Sequence, residues 1–267
     1  FSLFATDWHI SSGTGDDNNS GKAAVDAFQS FTALSTIEIN PGDKILLKSG
    51  DRFTGMLELD IKGEEGKPII ISKYGGDAKP LIDGNGEHAA LKLINPEYVI
   101  VEHLEIINPK ARYGIYYTAK DAGELKSLEF RFIDVHDVND ASRKTTGPGK
   151  AHGGIVGQVD RGKQASWWNG ISIHDCYIHD LGSCGITIGS RYKLHENEKD
   201  YDPHPILNMH IYNNRVENIV RDGIWIRECK GAVIEHNTVT RTGFPGRGPA
   251  PFIRIQTKGT PPCSKRS

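Results

Sequence analysis

The 267-residue sequence lacks the marks of several common functional classes. No apolar stretch approaches the length of a membrane-spanning helix, which argues against a span of that kind. No run of Lys and Arg is interleaved with aromatic residues, and the 32 basic residues nearly balance the 34 acidic ones. With a formal net charge of -2, the chain is not expected to bind nucleic acid.

Cysteine is also scarce, and its spacing is not that of metal ligands. Cys176 falls at a bend of the repeat described below, where a small buried apolar side chain is expected. A bridge between Cys176 and Cys184 is compatible with an oxidising compartment, but the sequence does not establish it. The HExxH, Gly-x-Ser-x-Gly and phosphate-binding glycine motifs are absent, so nothing indicates the chemistry that they serve. The four cysteines are Cys176, Cys184, Cys229 and Cys263.

A repeat of short strands dominates the second half of the chain. Residues 207–228 read LNMHIYNNRVENIVRDGIWIRE, in which apolar residues stand alone or in pairs among polar ones. From Ile211 to the equivalent Ile234 the period is 23 residues. Such a period is typical of solenoids, in which each repeat buries its apolar side by stacking on the next. Further equivalent positions are Ile173, Ile178, Ile186, Val216, Ile224 and Val239.

Alternation within the repeat favours a right-handed parallel β-helix. In residues 185–188 and 223–226, β-branched apolar residues alternate with outward positions, as half-buried strands require. A leucine-rich repeat would place Leu where this chain has Ile and Val. Asn214 and Asn237 fall at matching bends, where stacked asparagines can hydrogen-bond from coil to coil, and we interpret them as structural. Surface or inter-coil hydrogen bonding also accounts for the histidines next to corners: His136, His174, His179 and His236.

The chain is expected to form one domain, residues 1–267. Residues 22–34 place Ala24, Val25, Phe28, Phe31 and Leu34 on one helical face, which predicts an amphipathic helix that covers the first coil. An N-terminal strand and this cap helix would occupy 1–36, the coils 37–257, and an irregular tail 258–267. Because no capping element follows the last strand, we expect the chain to be truncated there or covered by a partner.

Several N-terminal segments resemble those of pectate-lyase-like right-handed parallel β-helix proteins. They are WHISSGTGDDNNSG, NPGDKILLKSGDRFTG, EEGKPIIISKYGG and PLIDGNG, and the resemblance extends over residues 6–243. It implies an all-β solenoid and a carbohydrate-active enzyme, which is a polysaccharide lyase, a glycoside hydrolase or a uronan epimerase. Neither the paired-Asp pattern of polygalacturonases nor the calcium-ligand set of true pectate lyases is found. No cofactor is indicated, although Ca²⁺ is compatible with Asp and Glu along a groove.

Three insertions, at residues 139–152, 158–168 and 190–206, interrupt the repeat. They flank one stack of strands, so we expect them to form the walls of a groove whose floor is the outward residues of that stack. Tyr116 and Trp225 would be platforms for the apolar face of a sugar, with a Trp covered by its own insertion as the equal alternative. The predicted floor is Tyr116, Val156, Thr187 and Trp225, and its bordering substrate-binding residues are His152, Gln158 and Arg191.

Two chemistries fit the polar residues of this groove. Elimination from an acidic polysaccharide needs a cation that neutralises the uronate carboxylate and groups that move two protons. Arg191 or Arg227 could neutralise the carboxylate, and His204 or Tyr201 could move the protons. Hydrolysis needs two carboxyl groups about 5–10 Å apart across the scissile bond. Its candidates are Asp202, Asp222 and Glu228.

The segment Tyr201-Asp202-Pro203-His204 resembles the Asp-Pro-His segment of mannuronan C5-epimerases. The similarity continues at Asn208, Ile211 and Asp222-Gly223. It implies an active site that contains Asp202, His204 and Tyr201, with Glu228 nearest to the family's second catalytic Asp.

The sequence therefore predicts a secreted or periplasmic, monomeric enzyme that acts on a polysaccharide or oligosaccharide. Residues 1–5, FSLFA, are compatible with the remnant of a secretory signal or with an arbitrary chain boundary. A lyase that cleaves a uronic-acid-containing glycan is preferred, because this scaffold together with groove Arg and His suits β-elimination. A glycoside hydrolase, an epimerase and a non-catalytic glycan-binding β-helix are the alternatives.

Overall fold

Short strands of β-branched residues, separated by turns, build almost all of the described chain. The structure is a computed structural model, and it describes residues 5–139, 152–191, 204–244, 248–249 and 252–256. Within these residues there are two short 3-10 helices, η1 (Ala24–Asp26) and η2 (Phe31–Thr36). The strands are β1 (Asp7–Ile10), β2 (Lys44–Lys48), β3 (Arg52–Thr54), β4 (Leu57–Lys62), β5 (Ile69–Tyr74), β6 (Leu81–Asp83), β7 (Ala89–Glu97), β8 (Val99–Glu102), β9 (Glu105–Pro109), β10 (Tyr113–Ala119), β11 (Gly123–Arg131), β12 (Asp134–Asn139), β13 (Gly153–Val159), β14 (Ser166–His174), β15 (Tyr177–Leu181), β16 (Cys184–Ser190), β17 (Ile206–Tyr212), β18 (Arg215–Ile219), β19 (Ile224–Arg227), β20 (Cys229–Lys230), β21 (Val233–Glu235), β22 (Thr238–Phe244), β23 (Gly248–Pro249) and β24 (Ile253–Gln256).

The strands form three sheets that the chain visits in turn. Sheet A has the order β1-β2-β5-β8-β11-β14-β17-β20, with β21 also paired to β17. Sheet B has the order β3-β6-β9-β12-β15-β18-β22-β23, and sheet C has the order β4-β7-β10-β13-β16-β19-β24. Each strand pairs in parallel with the equivalent strand of the next coil, and the β22–β23 pair is antiparallel. This arrangement is a parallel β-helix, as the sequence predicts.

The core consists of aliphatic side chains stacked in columns inside the coils. The predicted equivalence of Ile173, Ile211 and Ile234 is confirmed, because these residues pair in register across sheet A. Burial of one such side chain is worth about 1.5–3 kcal/mol, so stacking supplies the stability that no single coil could provide. Sheet C contributes the corresponding column Ile115, Ile155, Ile186, Ile224 and Ile253.

Glycines at the entry to sheet C let neighbouring coils approach closely. A Cβ atom on Gly185 would lie 2.4 Å from the carbonyl oxygen of Gly223. A Cβ atom on Gly223 would in turn lie 2.7 Å from the carbonyl oxygen of Phe252. The Gly-Ile-x-Ile units of the sequence therefore reflect a backbone contact that excludes any side chain at the glycine.

The corner between sheets A and B carries the predicted asparagine ladder. Asn213 adopts the left-handed conformation with φ 53°, and the next residue, Asn214, points inward and is buried. The Asn214 Nδ2 donates to Asn237 Oδ1 at 2.9 Å, and its Oδ1 accepts from the Cys176 backbone N–H at 3.1 Å. These bonds satisfy buried polar groups of three coils, so the structural interpretation of Asn214 and Asn237 is confirmed.

Histidines on the outer faces of sheets A and B join adjacent coils through carboxylates. His136 contacts Asp137 through Nδ1 at 2.8 Å and Glu105 through Nε2 at 3.1 Å. His179 and His174 have the same arrangement, with one carboxylate from the following residue and one from the preceding coil. Inter-coil hydrogen bonding is therefore confirmed for these three histidines.

The predicted N-terminal cap helix is wrong. Residues 22–34 form only the 3-10 turns η1 and η2, and Val25, which the helix would bury, is 96% exposed. Phe28 pairs instead with the first strand, since its N–H donates to the His9 carbonyl at 2.9 Å and its carbonyl accepts from the Ser11 N–H at 2.8 Å. Tertiary backbone hydrogen bonds therefore outweigh the helical periodicity, although the segment does cover the first strand as expected.

Among the described residues, Cys176, Cys184 and Cys229 are buried and form no disulfide, so no bridge joins Cys176 to Cys184. Cys176 lies in the core at the corner between sheets A and B, as expected for a small apolar residue. Cys263 lies outside the described residues. Among the described residues, no helix is long and apolar enough to cross a membrane.

Candidate functional site

The candidate site is the outer face of sheet C. The insertions at 139–152, 158–168 and 190–206 fall between β12 and β13, between β13 and β14, and between β16 and β17. They therefore leave the coil at both edges of sheet C, on either side of its central strands. This position is the one that the sequence predicts for the walls of a groove.

The predicted floor is a single column of side chains. Tyr116, Val156, Thr187 and Trp225 pair in register across β10, β13, β16 and β19. Their exposed fractions are 8%, 1%, 0% and 4%, so neither aromatic ring is an open platform. The expectation of an exposed platform at Trp225 or Tyr116 is thus wrong. The alternative of a Trp covered by its own insertion stays a prediction, because residues 140–151 and 192–203 lie outside the described residues.

Arginines surround the Trp225 ring. The guanidinium carbons of Arg227, Arg254 and Arg221 lie 4.8, 5.8 and 6.0 Å from its centre. Among the described residues, Trp225 Nε1 and Thr187 Oγ1 have no hydrogen-bond partner. The floor therefore combines a cationic rim with buried polar atoms, which is the composition of a binding surface more than of a core.

Asp222 lies at the start of β19, on the edge of sheet C where that strand begins. It is 2% exposed, and its Oδ1 is 3.0 Å from Nε of Arg254 in the next coil. Burial raises the pKa of the Asp222 carboxyl, and the charges of Arg254 and Arg221 oppose that rise. A carboxyl group with a raised pKa is suited to donate a proton.

Arg227 occupies the neighbouring outward column. Its Nη2 lies 3.5 Å from Oε1 of Gln158, and Gln158 is fixed by hydrogen bonds from its Nε2 to the carbonyls of Val159 and Gly189. Burial lowers the pKa of Arg227, and the charge of Glu228 opposes that shift. The structure thus brings Gln158 and Arg227 together, and their roles toward a substrate stay a prediction.

Arg191 contacts a carboxylate that the sequence analysis missed. Its Nε lies 2.7 Å from Oδ1 of Asp160, whose Oδ2 accepts a hydrogen bond from Thr118 at 3.0 Å. Burial and the charge of Asp160 raise the pKa of Tyr116 to about 12. Arg191 is therefore already paired, which makes it a weaker candidate than Arg227 for neutralising a substrate carboxylate.

A cluster of aromatic rings lies beside Tyr116, toward the first coils. Tyr113 packs against Tyr116 at 4.6 Å and against His152 at 5.4 Å between ring centres. His88 contacts both Tyr113 and Tyr116, at 4.9 and 5.1 Å. His152 thus belongs to this cluster, two strands away from the strand of Trp225.

His204 lies at the beginning of the next sheet. Its ring stacks on Trp167 of sheet A, with 4.1 Å between ring centres. Its predicted partners Tyr201 and Asp202 lie outside the described residues, so the epimerase-like constellation stays a prediction.

The candidate carboxylates Asp222 and Glu228 cannot form a hydrolytic pair with each other. They stand just before and just after the strand β19, six positions apart, which corresponds to about 20 Å at 3.3 Å per residue. The two carboxyl groups of a glycoside hydrolase are about 5–10 Å apart. Glu228 is 4% exposed and lies at the corner from sheet C to sheet A.

Sequence reasoning missed Arg254, Asp160, Tyr113 and His88. The signal for Arg254 was present, because Ile253-Arg254-Ile255 repeats the pattern of Ile224-Trp225-Ile226 and pairs with it in register. Asp160 and His88 follow or precede strands without any periodic mark. Among the described residues, no group of three or more His, Cys, Asp or Glu is arranged to hold a metal ion.

A scan of the sequence against models of known protein families finds no match. Among curated proteins, the lacto-N-biosidase of Bifidobacterium longum subsp. longum is 24% identical over 313 residues, covering 87% of this chain and 19% of that protein. Among solved structures, the GH136 lacto-N-biosidase from Eubacterium ramulus has 26% identity and a TM-score of 0.75. The match covers 87% of this chain and 44% of that one. The chain thus spans less than half the length of either lacto-N-biosidase.

An alginate lyase from Paenibacillus sp. str. FPU-7 is a more distant structural neighbour. It has 17% identity and a TM-score of 0.60, and the match covers 94% of this chain and 75% of the lyase. At this identity the likeness concerns the fold alone. The chain has the parallel β-helix fold of the pectate-lyase-like proteins. The resemblance predicted from the N-terminal segments is therefore confirmed.

Proposed function

We propose that this chain carries the catalytic face of a carbohydrate-active enzyme that hydrolyses glycosidic bonds. The observation that carries the proposal is the environment of Asp222. Its carboxyl group is buried on the insertion-flanked face of sheet C, and burial raises its pKa. Hydrolysis of a glycosidic bond begins with protonation of the leaving oxygen, and a raised pKa favours the protonated form of the carboxyl group that supplies this proton.

The resemblance to lacto-N-biosidases supports hydrolysis over elimination. The match to the Eubacterium ramulus enzyme extends over 87% of this chain with a TM-score of 0.75. We therefore propose an oligosaccharide as the substrate, and a location outside the cell or in the periplasm, where such glycans occur.

Hydrolysis needs a second carboxyl group, and Glu228 is too far from Asp222 to supply it. Asp202, in the insertion between β16 and β17, remains the predicted partner. Arg254 would position Asp222 through the ion pair of 3.0 Å. Arg227, which is half-buried on the floor, would contact the sugar.

The proposal is tested by incubation of the protein with a panel of glycans, in two arms. The first arm contains oligosaccharides and a chromogenic lacto-N-bioside, and the second contains alginate, pectin, ulvan and glycosaminoglycans. New reducing ends without an unsaturated product support hydrolysis. Binding of a glycan without any product would instead favour a non-catalytic module.

A polysaccharide lyase is the second candidate, and Arg227 favours it. The Nε of this guanidinium has no hydrogen-bond partner among the described residues, so a uronate carboxylate could pair with it. The same panel decides, since a lyase releases an unsaturated uronate with ultraviolet absorbance. Release of an unsaturated uronate from an acidic glycan would contradict the hydrolase proposal. Formation of a C5-epimerised chain without cleavage would favour the epimerase.

A further inference from the structure

A small apolar cluster lies outside the main core, on the outer face of sheet C. Ala89, Tyr116 and Val156 are buried in it, and Met56 and Tyr113 pack against it half-buried. The outer face of a half-solvated strand is ordinarily polar, as at Glu58 and Asp60 of the same sheet. An apolar patch at this place therefore needs an explanation other than folding.

Aromatic rings form the accessible part of this patch. His88 is exposed and Tyr113 is half-buried. His88 lies nearly perpendicular to Tyr116, with 5.1 Å between ring centres and 87° between planes, and 4.9 Å from Tyr113. The buried Tyr116 thus supports two rings that reach the surface, which is how proteins present an aromatic face to the C–H face of a sugar.

The patch itself is aromatic and apolar, and the cations beside it are Lys92 and Arg112. Lys92, in the same sheet column, is paired with Glu58 at 3.1 Å, and Arg112 precedes Tyr113 in the chain. Partial desolvation and the charges of these two cations lower the pKa of His88, and the charge of Glu58 opposes that shift. The neutral form of the His88 ring is therefore favoured, and the aromatic face suits the C–H face of a neutral pyranose.

The patch and the candidate catalytic position lie at the same edge of sheet C. Tyr113 pairs with Gly153, which pairs with Cys184. Extension of that register places Asp222 beside Cys184, and Gly185 N–H donates to the Asp222 carbonyl at 3.1 Å. Tyr113 and Asp222 therefore lie in one column three strands apart, or about 14 Å at 4.8 Å per strand. A short glycan along the helix axis would contact both.

We infer that His88 and Tyr113 form a subsite that stacks on a neutral pyranose of the glycan. This inference rests on the proposed function for the position of the scissile bond near Asp222. It assigns the recognition of a neutral sugar to the first coils of sheet C, away from the arginines around Trp225.

The test is binding to an array of oligosaccharides, followed by calorimetry with the tightest neutral ligand. The array contains neutral hexose and N-acetylhexosamine oligosaccharides, oligoalginates and oligogalacturonates. The variants are His88→Ala, Tyr113→Ala and Tyr113→Phe. Phe132→Ala is the matched control, because Phe132 is an aromatic side chain 39% exposed at the corner between sheets A and B. Each alanine variant at the patch should weaken binding about five- to tenfold, whereas Tyr113→Phe and Phe132→Ala should bind as the parent does.

Unchanged affinity in both alanine variants would overturn the inference. So would the absence of neutral ligands on the array, or an equal loss of binding to uronate oligosaccharides. Failure of the proposed function has a different signature. If the protein binds neutral sugars through these rings but releases no reducing ends, the result supports the subsite and contradicts the proposed hydrolase function.

Discussion

The Nε atom of Arg254 lies 3.0 Å from Oδ1 of Asp222 and joins the last two strands of sheet C. Because the positive charge of Arg254 opposes the rise in the Asp222 pKa that burial causes, its removal should raise that pKa further. If Asp222 donates a proton, activity is lost as the pH rises through its pKa. Arg254→Gln should therefore move the alkaline limb of kcat/KM to higher pH.

The measurement is a pH profile of kcat/KM for the parent and for Arg254→Gln. Arg241→Gln is a suitable control, because Arg241 is an exposed arginine that pairs with a carboxylate, Glu217, on sheet B. A shift of the alkaline limb to lower pH, or the same shift in the control, would contradict this role of Arg254.

Asp222→Asn should nearly abolish turnover while the β-helix remains folded. General acid catalysis contributes about 10²- to 10⁴-fold to rate, so kcat should fall by a factor in that range. Asp60→Asn changes an exposed carboxylate on the same sheet face and should leave kcat unchanged. Circular dichroism and thermal unfolding verify the fold of both variants, and near-parental turnover in Asp222→Asn would show that another group donates the proton.

Asn214→Ala should destabilise the protein by about 2–3 kcal/mol, since it removes side-chain hydrogen bonds to the two neighbouring coils and leaves buried partners unsatisfied. The partners left unsatisfied are the Cys176 N–H and the Ile173 carbonyl, and the side-chain bond to Asn237 Oδ1 is lost as well. Urea unfolding measures the loss. Asn18→Ala, in an exposed loop, should change the free energy of unfolding by less than about 0.5 kcal/mol. Equal effects of the two substitutions would mean that the ladder adds no stability.

His136 should make the stability of the protein depend on pH. Burial lowers the pKa of His136, but its hydrogen bonds to Asp137 and Glu105 outweigh burial, and the net shift is upward. A group whose pKa is higher in the folded state stabilises fully below its unfolded pKa of about 6.5, and that stability is lost as the pH rises through the folded pKa.

The free energy of unfolding should therefore decrease above neutral pH by about 1 kcal/mol or less. This decrease should be absent in His136→Gln. His88→Gln, at a residue whose pKa is lowered, should keep the decline. Urea unfolding between mildly acidic and alkaline pH measures both variants, and an identical pH dependence in parent and His136→Gln would exclude the effect.

The columns of the β-helix were predictable because each depends on local alternation that recurs in every coil. Ile173, Ile211 and Ile234, or Thr187 and Trp225, could be aligned by counting residues, and parallel pairing requires that alignment. The cap helix could not be judged in this way, since the backbone bonds of Phe28 to His9 and Ser11 join it to the end of the first strand of sheet A, and no recurring alternation in the sequence marks that contact.

The site was only partly predictable, because local alternation places side chains on a face of a strand but does not determine their contacts with other coils. Trp225 and Arg227 follow from the alternation of β19, whereas the pairing of Asp222 with Arg254 depends on where two side chains of successive coils point, which no alternation in the sequence marks. The burial of the Trp225 side chain could not be predicted from the sequence either, because it depends on the residues that cover sheet C and not on the strand that contains Trp225.

The most direct test of the account is a crystal structure of Asp222→Asn with a bound oligosaccharide. The account predicts a sugar chain along the outer face of sheet C, with a glycosidic oxygen about 3 Å from the side chain of residue 222. An oligosaccharide bound on sheet A or sheet B, or one whose glycosidic bonds all lie far from residue 222, would contradict it.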